Sequence, residues 1–207
     1  IFMEEMDAVN VAVVTAGGQF VVFEQTKYAI PGKTLSPVGG FVDAGEAPWE
    51  SARREVMEEL GLGSPTTLEQ MRRAGYDLHH PPDPTSNAQA GRNAFASLPK
   101  APRHLDSFNL ALGNVSDGGE HEHWVYLGKY RTAANRGGGF IYTYLLKNAV
   151  PILPNGGTQS FGSVGDDEAQ KIKLLTLPDV EYSVARGDFQ EVKWAATLAL
   201  SLLHLRG

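Results

Sequence analysis

The chain has 207 residues, 42 % of them hydrophobic, a formal charge of −6 and no cysteine. That is enough apolar material for one sizeable domain with a proper core, and no run is long and apolar enough to cross a membrane. Disulfides, zinc–thiolate sites and thiol catalysis are excluded, and the acidic balance argues against nucleic-acid backbones as partners. A soluble, intracellular setting is the expectation. The chain opens with Ile1, which reads as a piece of a longer protein and leaves room for a fused domain outside it.

The first third is strand-rich. Val9 to Thr15 and Phe20 to Gln25 are apolar, β-branched or aromatic runs separated by Ala16-Gly17-Gly18, a hairpin signal, and Thr34 to Val38 forms a third strand. Pro48 suits the first turn of a helix, and Gly61 and Gly63 suit its end. Within that helix Trp49, Ala52, Val56 and Leu60 recur at core-facing spacing. Glu55, Glu58 and Glu59 stand at i, i+3 and i+4, so their carboxylates project together from another face. Carboxylates that close repel, and something cationic is expected among them. Oxygen-only donors favour a hard ion, magnesium best, with manganese the expected substitute.

Residues 64 to about 120 show little sustained periodicity and read as one long insertion. Excursions of that length inside a compact domain are functional or disordered; Tyr76, Arg92, Phe95, Arg103 and His104 would let this one close over a ligand, and plain disorder or a surface decoration is the equal alternative. His121-Glu122-His123 would place both imidazoles on one face of a strand, where an ordinary strand edge is expected ahead of a metal site. Strands are then expected at Trp124 to Tyr130, Gly139 to Leu146 and Lys171 to Leu177. A short helix should follow at Asp179 to Arg186 and an amphipathic one at Phe189 to Leu205, with Val192, Ala195, Ala196, Leu198, Leu200, Leu202 and Leu203 as its apolar stripe. The elements make a single α+β domain over 1–207, a mixed sheet flanked by helices.

The stretch from Gly39 to Leu62 carries the chemistry. Gly40, Glu46, Arg54, Glu55, Val56, Glu58, Glu59, Gly61 and Leu62 match the spacing of the Nudix box at every fixed position. The chain thus resembles the Nudix hydrolases, which implies an α/β/α sandwich with the long insertion after the box helix. The resemblance assigns Glu55, Glu58 and Glu59 as metal ligands with the Gly39 carbonyl, and Glu46 and Arg54 as a salt bridge steadying the loop. Gly39, Gly40 and Gly45 would let that loop turn tightly and approach a diphosphate.

Flanking segments narrow the resemblance. Phe23 to Tyr28, with Gln25 and Tyr28, and Leu35 to Gly40 are similar to the Gln-x-x-Tyr and Pro-x-Gly segments of ADP-ribose pyrophosphatases and related nucleoside-diphosphate-sugar hydrolases. Two departures stand out. Ser36 sits where the family often has an acidic or aromatic residue, and Ala133 to Gly139 replaces a Ser-Pro-Gly turn. The resemblance implies a general base on an acidic loop before the last strand, where Gly165-Asp166-Asp167-Glu168 lies, Glu168 aligning best and Asp167 second. Gln25, Tyr28 and Phe41 are the expected substrate-binding residues; core packing is the commoner fate of residues such as Tyr28 and Phe41, with stacking on a base the functional alternative. The family often dimerises through an extra N-terminal sheet, for which little chain precedes the first strand here, so a homodimer stays open. The expected reaction is magnesium-dependent cleavage of a small-molecule nucleoside diphosphate linked to another moiety, ADP-ribose to AMP and ribose 5-phosphate first. NADH, FAD or a diadenosine polyphosphate is an alternative substrate, and a regulatory module that binds nucleotide sugars without turnover is the alternative from another class.

Overall fold

The computed structural model describes residues 5–75, 119–152 and 170–207. β1 (Ala8–Thr15) and β2 (Phe20–Lys27) form the expected hairpin, with Val13 opposite Val21. The chain returns as β3 (Ile30–Ser36) and β4 (Val38–Phe41). β3 pairs with β2, whereas β4 pairs with β1, from Val11 opposite Val38 to Ala8 opposite Phe41. The run therefore changes partner at Pro37, a residue with no N–H to give to a ladder.

After the helix α1 (Pro48–Leu60) come β5 (Leu62–Gly63) and α2 (Pro65–Arg73). β6 (Trp124–Arg131) and β7 (Phe140–Pro151) form an antiparallel pair, and β7 runs parallel to β1 through the middle of the sheet. β8 (Lys171–Leu175) pairs with β2, and α3 (Leu177–Arg186) and α4 (Val192–Arg206) close the described chain.

The mixed sheet is packed on both faces. On one, Trp49, Ala52, Val56 and Leu60 of α1 meet Val9, Val11, Val13, Phe23, Val38 and Tyr144. On the other, Trp194, Leu198 and Leu202 of α4 meet Ala12, Val14, Phe20, Val22 and Leu145. β1 is buried on both sides, which is why it reads as an almost unbroken apolar run. This is the expected α/β/α sandwich.

Several expectations are corrected. The third strand begins at Ile30 rather than Thr34, because Ile30 already pairs with Lys27 across a two-residue turn. Gly61 ends α1 in the left-handed conformation at φ 64°, but Gly63 belongs to β5, paired with Val150. His121 and Glu122 lie in a 3₁₀ turn, Glu120–Glu122, not on a strand. In α4 the buried face is Trp194, Thr197, Leu198, Ser201 and Leu202, while Val192 and Leu203 face solvent at 81 % and 70 % exposure. The Thr197 and Ser201 hydroxyls donate to the carbonyls of Lys193 and Thr197, each at 2.8 Å. Hydroxyls satisfied by their own helix can be buried, so a count of apolar residues misplaced the face.

The start of the insertion is ordered as α2, capped by Ser64, which accepts from Thr67 N at 2.9 Å. Glu120, fully buried, accepts from the Ser64 and Thr67 hydroxyls and pairs with Arg53 Nη2 of α1 at 3.4 Å. Arg53 in turn lies over the Trp49 ring, 4.7 Å from its centroid. The two ends of the insertion are thus joined to each other and to the box helix. Tyr76, Arg92, Phe95, Arg103 and His104 lie outside the described residues.

Removing one member of a buried ion pair strands the other charge. Glu120→Ala is expected to lower stability by about 3–5 kcal/mol, read as a shift in urea midpoint; a change under about 1 kcal/mol would show that Arg53 finds other partners. Glu24 on β2 tests pH. It pairs with Lys33 Nζ at 3.0 Å and with Lys173, which hold its pKa down at about 2. A depressed carboxylate stabilises the fold above its ordinary pKa and loses that contribution as pH falls toward the folded value. Solvent screening limits the pair to about 1 kcal/mol. The stability gap between wild type and Glu24→Gln should therefore narrow as pH falls from about 5 to about 2, and a pH-independent gap would refute the assignment.

Candidate functional site

α1 presents its acidic residues toward the loop that precedes it, and Arg54 binds the two together. Its guanidinium donates to Glu46 from Nε at 3.1 Å and from Nη2 at 3.1 Å, and Nη2 also donates to the Phe41 carbonyl at 3.1 Å. Nη1 turns the other way, to Glu55 Oε1 at 2.7 Å and Glu58 Oε2 at 3.5 Å. Ser51 donates its hydroxyl to Glu46 as well. Burial works against the charge on Arg54, but its bonds to Glu46 and the field of Glu55 outweigh it, and the pKa stands above the ordinary arginine range.

The structure thus brings Glu46 to Arg54, and sets Glu55 and Glu58 on the same guanidinium. Arg54 therefore contacts two of the three carboxylates, Glu55 and Glu58, besides Glu46. Among the described residues no three carboxylates or imidazoles are already gathered as a ligand cage.

Glu59 stands apart from Arg54 and faces the cleft described below. Burial first, then the field of Glu55, push its pKa up to about 8, against a hydrogen bond from the Gly39 backbone. Its Oε2 has no hydrogen-bond partner among the described residues. Burial likewise raises Glu55, with Arg54 opposing. A buried carboxylate oxygen without a donor, beside two more carboxylates, is a donor set suited to a hard divalent cation.

The loop glycines act through close approach more than through turning. Gly39 and Gly40 lie in β4, and only Gly45 among the three has a positive φ, 82°. A Cβ on Gly40 would stand 2.2 Å from Glu55 Oε1, and one on Gly39 would stand 2.5 Å from the Val9 carbonyl.

Where β3 passes into β4, a cleft of about 280 Å³ opens between the sheet and the start of α4. Gln25, Gly39, Phe41 and Glu59 line it, as do Phe23, Lys27, Ser36, Glu191, Lys193 and Trp194. Gln25 is buried and Phe41 is largely exposed at its edge. Tyr28 is placed elsewhere, wholly exposed at the β2–β3 turn. Glu168, with Asp166 and Asp167, lies outside the described residues. Sequence reasoning missed Lys27, although it follows Phe23 and Gln25 at the strand period of two. It also missed Glu191, Lys193 and Trp194, for which no local signal exists.

A family model, the NUDIX domain, matches residues 4–107, half of the chain. The chain belongs to the Nudix family. Among solved structures, an ADP compounds hydrolase has the same fold with a TM-score of 0.57 and 14 % identity, over 97 % of this chain and 73 % of that one. DR0079 from Deinococcus radiodurans aligns over 96 % of this chain and 84 % of its own at a TM-score of 0.44 and 15 % identity. A curated relative, the methylenetetrahydrofolate–tRNA-(uracil-5-)-methyltransferase TrmFO of Pelotomaculum thermopropionicum, is 33 % identical over 85 residues, 41 % of this chain. That match spans 20 % of the relative's own length. Among the described residues no helix is long and apolar enough to cross a membrane.

Gly40→Ala should push Glu55 from its place. We expect manganese affinity, followed by paramagnetic titration, to fall about tenfold or more, the usual cost of disturbing the support of a ligand. Unchanged affinity would mean that Glu55 takes no part in holding the ion.

Proposed function

We propose that this domain is a divalent-metal-dependent pyrophosphohydrolase that cleaves a nucleoside diphosphate linked to another moiety, with ADP-ribose the leading substrate. The observation that carries the reading is the acidic face of α1 in a Nudix-family chain, with Glu59 turned into a cleft and its buried oxygen without a donor. Glu55, Glu58 and Glu59, with the Gly39 backbone, would hold magnesium or manganese. The bound ion would neutralise diphosphate oxygens and acidify the attacking water.

The protein's own groups do the rest. Glu46 and Ser51 keep Arg54 against the loop, which sets the distance between β4 and α1. Lys27 brings positive charge to a cleft that must admit an anion, while Lys193 there is paired with Glu191 at 2.8 Å. Glu168 is assigned as the base that takes the proton from water. Water then attacks one phosphorus, the P–O–P bridge breaks, and ADP-ribose leaves as AMP and ribose 5-phosphate. ADP-ribose leads because the segments around Gln25 and Ser36 resemble ADP-ribose pyrophosphatases, and the like-folded neighbour is named an ADP compounds hydrolase.

One observation favours a second reading. Arg54 already bonds to Glu55 and Glu58, an arrangement that a binding module without turnover could keep.

The purified chain incubated with magnesium and ADP-ribose, UDP-glucose, NADH, FAD and diadenosine polyphosphates separates the two. Cleavage of one compound to two monophosphates is expected, and binding without cleavage would favour the sensor. Glu59→Gln should abolish turnover together with the magnesium-dependent rise in Tm. Glu168→Gln should reduce kcat by about 10²–10⁴-fold, the range of general-base contributions, and turnover within a few-fold of wild type would remove Glu168 from the mechanism.

A further inference from the structure

Gln25 is held on β2 in a manner that hydrolysis does not require. It is 5 % exposed and lines the cleft, and its amide nitrogen donates to Ser36 Oγ at 2.6 Å. Its carbonyl oxygen is buried with no hydrogen-bond partner among the described residues. With its nitrogen bonded to Ser36, the atom of this amide left without a partner among the described residues is its oxygen, and a buried acceptor left unmet costs about 1–3 kcal/mol. Such atoms are uncommon in native proteins, and one that lines a cleft can be met by what the cleft binds.

The surroundings narrow what that ligand group is. Val9, Phe23 and Trp194 give the cleft apolar walls, which suit a flat ring better than a sugar whose several hydroxyls each need a partner. Glu59 and Lys27 mark the side on which the diphosphate would lie. At about 280 Å³ the cleft lies at the small end of ligand-pocket sizes.

We propose that the Gln25 carbonyl oxygen is a specificity determinant that accepts a hydrogen bond from the exocyclic amine of an amino-bearing base such as adenine, with Ser36 as its positioning residue. The proposal rests on the reading of the chain as a diphosphate hydrolase. It gives Ser36, one of the chain's departures from its subgroup pattern, a definite task. A 6-oxo purine would bring an acceptor against an acceptor and leave both unpaired.

Binding of methylene-bridged, non-hydrolysable ADP-ribose and of its 6-oxo purine counterpart, measured by calorimetry with magnesium, tests this without turnover. Wild type should prefer the 6-amino compound by about fivefold or more, the equivalent of one net hydrogen bond. Gln25→Met should bind both alike, and Ser36→Ala should weaken the preference by letting the amide rotate. Gln25→Glu, which keeps an acceptor in nearly the same shape, should retain it and covers the case in which the methionine variant does not fold. Equal binding by wild type, or a preference that survives in Gln25→Met, would overturn the proposal. Wild type that discriminates between the analogues yet cleaves none of the substrate panel would instead overturn hydrolysis and leave the base-reading role standing.

Discussion

The guanidinium of Arg54 is the contact on which the candidate site depends. It joins Glu46 and the Phe41 carbonyl on the loop to Glu55 and Glu58 on α1, and so fixes the loop against the helix. A planar fork with several donors can do this from one position, whereas a lysine ammonium could not reach both sides at once. Without that bridge, three carboxylates on one helical face would repel each other, and the glycine strand beside them would lose its register against Glu55.

The electrostatics of the face are divided. Glu55 and Glu58 share the arginine, while Glu59 lies in the cleft wall with its pKa raised to about 8. A carboxylate kept from ionising by burial and by like charge is one that a divalent cation can recruit, since the ion supplies the compensation that water does not. Glu55 and Glu58 thus meet Arg54 within the protein, while Glu59 keeps a buried oxygen without a hydrogen-bond partner among the described residues.

The cleft arises from the sheet itself. β3 and β4 would be one strand but for Pro37, and the change of partner there sets Ser36 and Gln25 on one side and Gly39 to Phe41 on the other. The start of α4 supplies the remaining wall. Behind α1, the Arg53–Glu120 pair draws the two ends of the insertion onto the box helix.

The sequence by itself determined the box, the bounds of α1 and the buried strands, because each follows from local periodicity or from residue types at fixed spacing; the α/β/α class came from the resemblance that the box carries. Pro48, Gly61 and the run Trp49, Ala52, Val56 and Leu60 have one local solution, and the structure adopts it. Tertiary structure alone decided that Glu191, Lys193 and Trp194 face the box, that Tyr28 stands in solvent, and that Ser64 and Glu120 meet. These facts depend on contacts between residues far apart in the chain, which no local pattern encodes. The buried face of α4 was also decided there, since Thr197 and Ser201 can be buried only once their hydroxyls find backbone carbonyls.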